Sequence, residues 1–156
     1  MINSNDLMRQ AIKLSIDNID EGGGPFAALI VKDGEIIASA ANSVTNDNDP
    51  TAHAEVNVIR KAAKKLKTFD LSDCEIYTSC EPCPMCLGAI YWSGIQTVYY
   101  GNDKQDAANI NFDDKFIYQE LDKPINQRKV KFEQLLPDEA KIAFIKWAKS
   151  DKKTEY

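Results

Sequence analysis

Phe26-Ala27-Ala28-Leu29-Ile30-Val31-Lys32 and Glu35-Ile36-Ile37-Ala38-Ser39-Ala40-Ala41, separated only by Asp33-Gly34, decide the fold. Both runs are apolar and strand-like, and a two-residue Asp-Gly connection favours the type I′ turn that joins antiparallel strands. A β-hairpin is predicted. Upstream, Met8, Ile12, Ile16 and Ile19 recur close to helical spacing within residues 4–20. Ser4 or Asn5 could cap this amphipathic helix, and Gly22-Gly23-Gly24-Pro25 stops it. Downstream, the polar stretch Asn42 to Pro50 reads as a surface loop. A helix is predicted from about Ala52 to Leu66, with Thr51 or Asp49 near its cap and a basic end that suits the helix dipole. Glu75 to Ser79 reads as a strand, Cys83 to Trp92 as a helix opened by Pro82, and Thr97 to Gly101 as a further strand. Strands joined through helices pair in parallel, so the hairpin should open a mixed sheet covered by helices on both faces. The predicted class is α/β, in three layers α/β/α. Beyond Gly101, Lys115 to Leu121 reads as a short helix and Asp138 to Lys149 as a longer one, with Ala140, Phe144, Trp147 and Ala148 at helical spacing. Residues 152–156 read as an exposed tail.

The chain has 156 residues and a net charge of -5. That length suits a single domain, here residues 1–156. No apolar run is long enough to span a membrane, so no membrane partner is expected. The N-terminal MINSNDLMRQ lacks a basic start and an apolar stretch, which argues for a cytoplasmic protein. An acidic chain has no overall field to attract a phosphate backbone, so no nucleic-acid partner is expected. The cluster Lys61, Lys64, Lys65 and Lys67 reads as a solvated helix end. Three of the four cysteines lie between Cys80 and Cys86, a spacing of metal ligands rather than of a disulfide framework.

The chemistry concentrates in Thr51-Ala52-His53-Ala54-Glu55 and Ser79-Cys80-Glu81-Pro82-Cys83-Pro84-Met85-Cys86. H-x-E followed by P-C-x-x-C is a known signature of zinc-dependent nucleobase deaminases. Cys83 and Cys86, three apart at a helix start, place both thiols on one face where the helix dipole stabilises thiolates. His53, at the start of another helix, can supply a third ligand. Three ligands leave a fourth tetrahedral position open to a water that ionises near neutral pH. Glu55, two residues on, can address that water without ligating the metal, as a general base does. The competing arrangement is a closed structural His-Cys-Cys-Cys site completed by Cys80, which stands three before Cys83. A closed site has no use for Glu55, and Pro82 places Cys80 before the helix, facing elsewhere. Taken alone, His53 would be a structural histidine. Cys74 reads as a small buried hydrophobe.

With these motifs the chain resembles the bacterial guanine deaminases of the cytidine deaminase superfamily. The resemblance is carried by GGGPFAALIVKDGEIIA, NDPTAHAEVNVIRKA, IYTSCEPCPMCLGAIYW, FDDKFIYQELDKP and the terminal Glu155-Tyr156. Ala27 departs from it, since relatives often carry glycine there. The resemblance implies a cytidine deaminase-like fold and a homodimer. It also implies hydrolysis of guanine to xanthine and ammonia, a step of purine catabolism or salvage. It makes His53, Cys83 and Cys86 the ligands of one Zn2+ per chain and Glu55 the proton shuttle. Asp114, with Asp113 as its neighbour and competitor, resembles the second acid near the departing amino group. Asn42 matches an asparagine against the purine edge, Phe26 and Trp92 match rings that flank the base, and the Ala54 backbone amide would meet the purine. Tyr156 suggests that the tail, from about residue 150, closes the active site.

The rivals are a tRNA adenosine deaminase, a deaminase of cytosine or an aminotriazine, and a zinc-stabilised binding module without turnover. A tRNA enzyme needs phosphate contacts that this acidic chain, without a strongly basic tail, does not offer.

Overall fold

The computed structural model describes residues 3–156. They divide into two compact units, one ending at Asp114 and the other spanning 115–156. The first unit runs α1 (Ser4–Asp20), β1 (Ala27–Lys32), β2 (Glu35–Ala41), α2 (Val44–Asp47), α3 (Ala54–Leu66), β3 (Glu75–Cys80), α4 (Pro84–Trp92), β4 (Thr97–Asn102) and α5 (Lys104–Asn109).

The hairpin forms as its residues dictate. Asp33 and Gly34 both take positive φ, 52° and 79°, the requirement of a type I′ turn. The strand order is β2-β1-β3-β4. β1 is antiparallel to both β2 and β3, and β3 is parallel to β4 across α4. This is the expected mixed sheet. Alternation along β1 and β3 divides the core between two faces. Ala28, Ile30 and Ile76 pack with Val58 and Ala62 of α3 and Ile90 of α4. Leu29, Val31 and Tyr77 pack with Leu7 and Ala11 of α1. The sheet is thus the middle layer of an α/β/α stack. Among the described residues no helix is long and apolar enough to cross a membrane.

Several local expectations are corrected. Asn3 caps α1, its side chain accepting from the Asp6 amide at 2.9 Å, in place of Ser4 or Asn5. The buried face of α1 is Leu7, Ala11 and Ser15, not the isoleucine stripe, and Ile16 is 58% exposed. Small side chains let the helix axis approach the sheet, and Ser15 Oγ satisfies itself on the Ile12 carbonyl at 2.7 Å. The loop after β2 contains the short helix α2. Neither Thr51 nor Asp49 caps α3, because Asp49 Oδ1 accepts from both the Thr51 amide at 2.8 Å and the Thr51 hydroxyl at 2.7 Å. The cap position belongs to His53. Pro84 rather than Pro82 opens α4, leaving Cys83 at its cap. Two of the clustered lysines are structural: Lys61 and Lys65 donate to the Ser39 and Ile37 carbonyls on the edge strand β2, at 3.2 and 2.8 Å.

The second unit contains α6 (Lys115–Leu121), a 3-10 turn (Ile125–Gln127) and α7 (Pro137–Ala148). Arg128 closes its first half, donating to the Lys123 and Leu121 carbonyls and lying 5.5 Å over the Phe132 ring. No residue of α7 is buried; Phe144 is 80% exposed. Residues 152–156 have no regular structure and are exposed.

Candidate functional site

Two helix starts meet at the site. His53 and Cys83 hold the cap positions of α3 and α4, both with extended backbone, and Cys86 lies in the first turn of α4. Extended caps turn the side chains across the helix ends, where the unpaired amides of each first turn concentrate positive potential. His53 Nδ1 lies 3.4 Å from Cys83 Sγ and 3.5 Å from Cys86 Sγ. The three ligand atoms all fall within 4.8 Å of one another. Tetrahedral bonds of about 2.3 Å to sulfur and about 2.0–2.1 Å to nitrogen require N···S separations of about 3.6 Å. The donor set therefore fits a zinc ion with little movement, and two thiolates would balance its charge.

The titration behaviour of the cluster has the same origin. The hydrogen bond from Cys86, assisted by the His53 imidazole, lowers the Cys83 thiol to about 4, and the shared proton correspondingly raises Cys86. The bond to Cys83 raises His53. Cys80 stands apart at the end of β3, its Sγ 3.9 Å from the Asp103 carbonyl, and burial followed by the Glu55 charge pushes it up to about 11. The structure brings Cys83 and Cys86 together with His53 and leaves Cys80 outside that donor cluster. Cys74 is buried, as expected.

Glu55 falls on the buried face of α3 with Val58 and Ala62 and is only 6% exposed. Burial raises its carboxyl above the ordinary range. Its Oε1 accepts from Thr78 Oγ1 at 2.8 Å. Thr78 also lies 3.0 Å from the Cys80 carbonyl, so its one proton has two acceptors. Sequence reasoning passed over Thr78. The available signal was a polar residue at an inward strand position between Ile76 and Cys80, since a buried hydroxyl needs a partner.

Asp114 is half-buried and raised, first by burial and then by the Cys83 charge, whereas Asp113 is exposed. Asn42 is half-buried directly after β2; its amide donates to the Phe26 carbonyl at 2.9 Å, and its Oδ1 accepts from the Val44 amide at 3.2 Å. Phe26 meets Phe112 edge-on, with centroids 5.0 Å apart. Ala54 is the first residue of α3, so its amide lies among those without an intrahelical acceptor. Trp92 is not brought to this end: it closes α4, about 12 Å along the axis from Pro84, and is 73% exposed. Tyr156 belongs to the second unit and is exposed.

Comparison with known proteins gives the family. Residues 1–102 match the cytidine and deoxycytidylate deaminase zinc-binding region. The chain is 50% identical over 156 residues to the guanine deaminase of Bacillus subtilis, covering 99% of this chain and 100% of that protein. The X-ray structure of that guanine deaminase superposes with a TM-score of 0.96 over 99% of both chains. The guanine deaminase of Nitrosomonas europaea is 36% identical, with a TM-score of 0.70 over 73% of this chain and 66% of that one. A tRNA-specific adenosine deaminase from Aquifex aeolicus is 37% identical over 134 residues, 85% of each chain. With the signature residues gathered at two helix starts and the family match spanning most of the first unit, the chain belongs to the cytidine and deoxycytidylate deaminase family.

Proposed function

We propose that the protein is a zinc-dependent guanine deaminase that hydrolyses guanine to xanthine and ammonia. The observation that carries this reading is the three-donor cluster of His53, Cys83 and Cys86 with the buried carboxylate of Glu55 two residues from His53. Guanine as substrate rests on the full-length similarity to guanine deaminases. When bound, zinc supplies Lewis-acid chemistry that makes water a nucleophile near neutral pH. Glu55 would take one proton from the attacking water to the ring nitrogen beside guanine C2, and then move the second proton, from the hydroxyl left on C2, to the leaving amine, so that a carbonyl remains at C2 and ammonia departs. One C–O bond forms at C2 and one C–N bond breaks. Thr78 holds Oε1, which leaves Oε2 to carry the proton. Asp114 is assigned to accept from the departing amino group, Phe26 and Trp92 to the faces of the base, and Asn42 and the Ala54 amide to its edge. Of these, Trp92 has the least support, given its place at the far end of α4. Ammonia release measured across guanine, guanosine, adenine, cytosine, an aminotriazine and a tRNA anticodon stem-loop tests the reading. Release from guanine above all others is expected; release from none, with zinc retained, would indicate a binding module.

Thr78→Val removes a hydrogen bond to a carboxylate while preserving shape. Such bonds contribute about 1.5–3 kcal/mol, so kcat should fall at least about tenfold with zinc content unchanged. An unchanged kcat would show that Thr78 does not position Glu55 for catalysis.

The tail is assigned to closing the active site, because a reacting base must be kept from bulk water. Deleting residues 152–156 should leave zinc content and secondary structure intact but lower guanine turnover at least about tenfold. Wild-type kinetics in the truncated protein would make the tail dispensable.

A homodimer is also part of this proposal. Leu135, Leu136, Ile142, Phe144 and Ile145 of the second unit are exposed, an apolar density that soluble monomers rarely leave to water. Light scattering should give twice the chain mass, and the mass of a single chain would refute it. The four cysteines are free, which suits a reducing cytoplasm and is checked by cell fractionation.

A further inference from the structure

Asn42 is held by two other asparagines that come from opposite layers of the fold. Asn18, on α1, spends both hydrogens of its side-chain amide on backbone carbonyls, Gly24 at 2.8 Å and Asn42 at 2.9 Å. Asn57, on α3, points its Nδ2 at the Ala41 carbonyl at 3.0 Å, the Ser43 hydroxyl at 3.0 Å and the Ala52 carbonyl at 3.3 Å. The backbone before, at and after Asn42 is therefore fixed from both faces of the sheet, and the Ser43 amide adds a bond to the Ala52 carbonyl at 2.9 Å. The same contacts tie this loop to the segment that leads into His53. Space is tight as well: a Cβ at Gly23 would come 2.3 Å from Asn18 Nδ2 and 2.7 Å from the Asn42 carbonyl.

Neither asparagine is explained by its own helix. Asn is a poor choice for a helix interior, because its side chain competes for backbone groups. Both are half-buried, and both satisfy backbone carbonyls at the end of β2 and in the loops beside it. The consequence reaches the Asn42 side chain. With Oδ1 engaged by the Val44 amide, Nδ2 is the donor left to the Asn42 side chain, the kind of group needed to meet an acceptor on a purine edge.

We infer that Asn18 and Asn57 are positioning residues that set the Asn42 side chain for base binding, without touching the base themselves. This inference rests on the proposed guanine deamination. A clamp that fixes a base-binding group before the base arrives removes an ordering cost from binding. Its loss should appear in KM more than in kcat, because the contact to the base is made in ground and transition states alike.

The test is a pair of double-mutant cycles read on guanine. Asn18→Ala and Asn57→Ala should each raise KM at least about fivefold, with kcat within about threefold of wild type and zinc near one per chain. In an Asn42→Ala background the same substitutions should change KM less than about twofold, since the group they position is gone. Equal KM costs with and without Asn42, or no KM cost in either single variant, would overturn the inference. Should Asn57→Ala fail to fold, the Asn18 cycle, which removes bonds from the opposite layer, decides by the same criterion. A wild-type protein inactive on guanine would refute the proposed function, whereas an active one with additive costs would refute the clamp alone.

Discussion

Glu55→Gln retains zinc and loses guanine turnover by about a thousandfold or more. General acid–base catalysis contributes about 10²–10⁴ in rate, and here one carboxylate is asked to move a proton twice in each cycle. Glutamine keeps the size of the side chain and its Oε1 can still accept from Thr78, so the site stays shaped while the proton carrier is lost. Unfolding is an improbable cause of the loss. Burial raises the Glu55 carboxyl, meaning that its charged form is disfavoured in the folded state. For an acid raised on folding, stability falls as pH rises from the ordinary carboxylate range through the folded value. A neutral amide escapes that cost, so at neutral pH the metal-free variant should melt no lower than metal-free wild type. Zinc per chain, melting temperature and kcat measured on one preparation check all three expectations. Turnover within tenfold of wild type would remove Glu55 from proton transfer, and loss of zinc would make it a ligand.

The parts of the fold that could be read in the residues are those whose cause is local. The hairpin depends on Asp33-Gly34 and the two runs beside it, and β2 begins and ends at Glu35 and Ala41 as expected. Elements that depend on capping or on distant packing were not legible. α5, Lys104–Asn109, has no apolar period to betray it; it is held by a capping box in which Asp103 and Asp106 each accept the other's backbone amide. The isoleucines of α1 marked the wrong face, because the row that packs on the sheet is Leu7, Ala11 and Ser15. The site divides along the same line. His53, Cys83, Cys86 and Glu55 sit in two short motifs, and the three-residue spacing of Cys83 and Cys86 at a helix start already implies a shared face. Thr78, Asn18 and Asn57 act across 23, 24 and 16 residues of sequence respectively, a separation that only the folded chain closes.

Cys83→Ser and Cys86→Ser should each lose zinc, from near one per chain to nearly none after dialysis, while Cys80→Ser keeps it. Three protein ligands hold a catalytic zinc, and a serine hydroxyl, which stays protonated at neutral pH, cannot replace a thiolate. Cys83 is already disposed to ionise, lowered to about 4, and its loss would take away the group that binds a cation most readily. Cys86 shares its proton with Cys83 and completes the pair of negative charges that a divalent ion requires. Cys80 is three residues before Cys83, the same spacing that separates Cys83 from Cys86, so sequence distance alone cannot distinguish the two pairs. Geometry does: α4 begins at Pro84, which brings Cys83 and Cys86 to one helix end, whereas Cys80 terminates β3 with its thiol toward the Asp103 carbonyl. Its thiol is pushed up to about 11 by burial and then by the Glu55 charge, and it lies outside the donor cluster of His53, Cys83 and Cys86. Zinc analysis of the three serine variants separates the open catalytic site from a closed structural one. Zinc loss from Cys80→Ser equal to that from the other two would close the fourth position with sulfur, leaving no place for water and no role for Glu55.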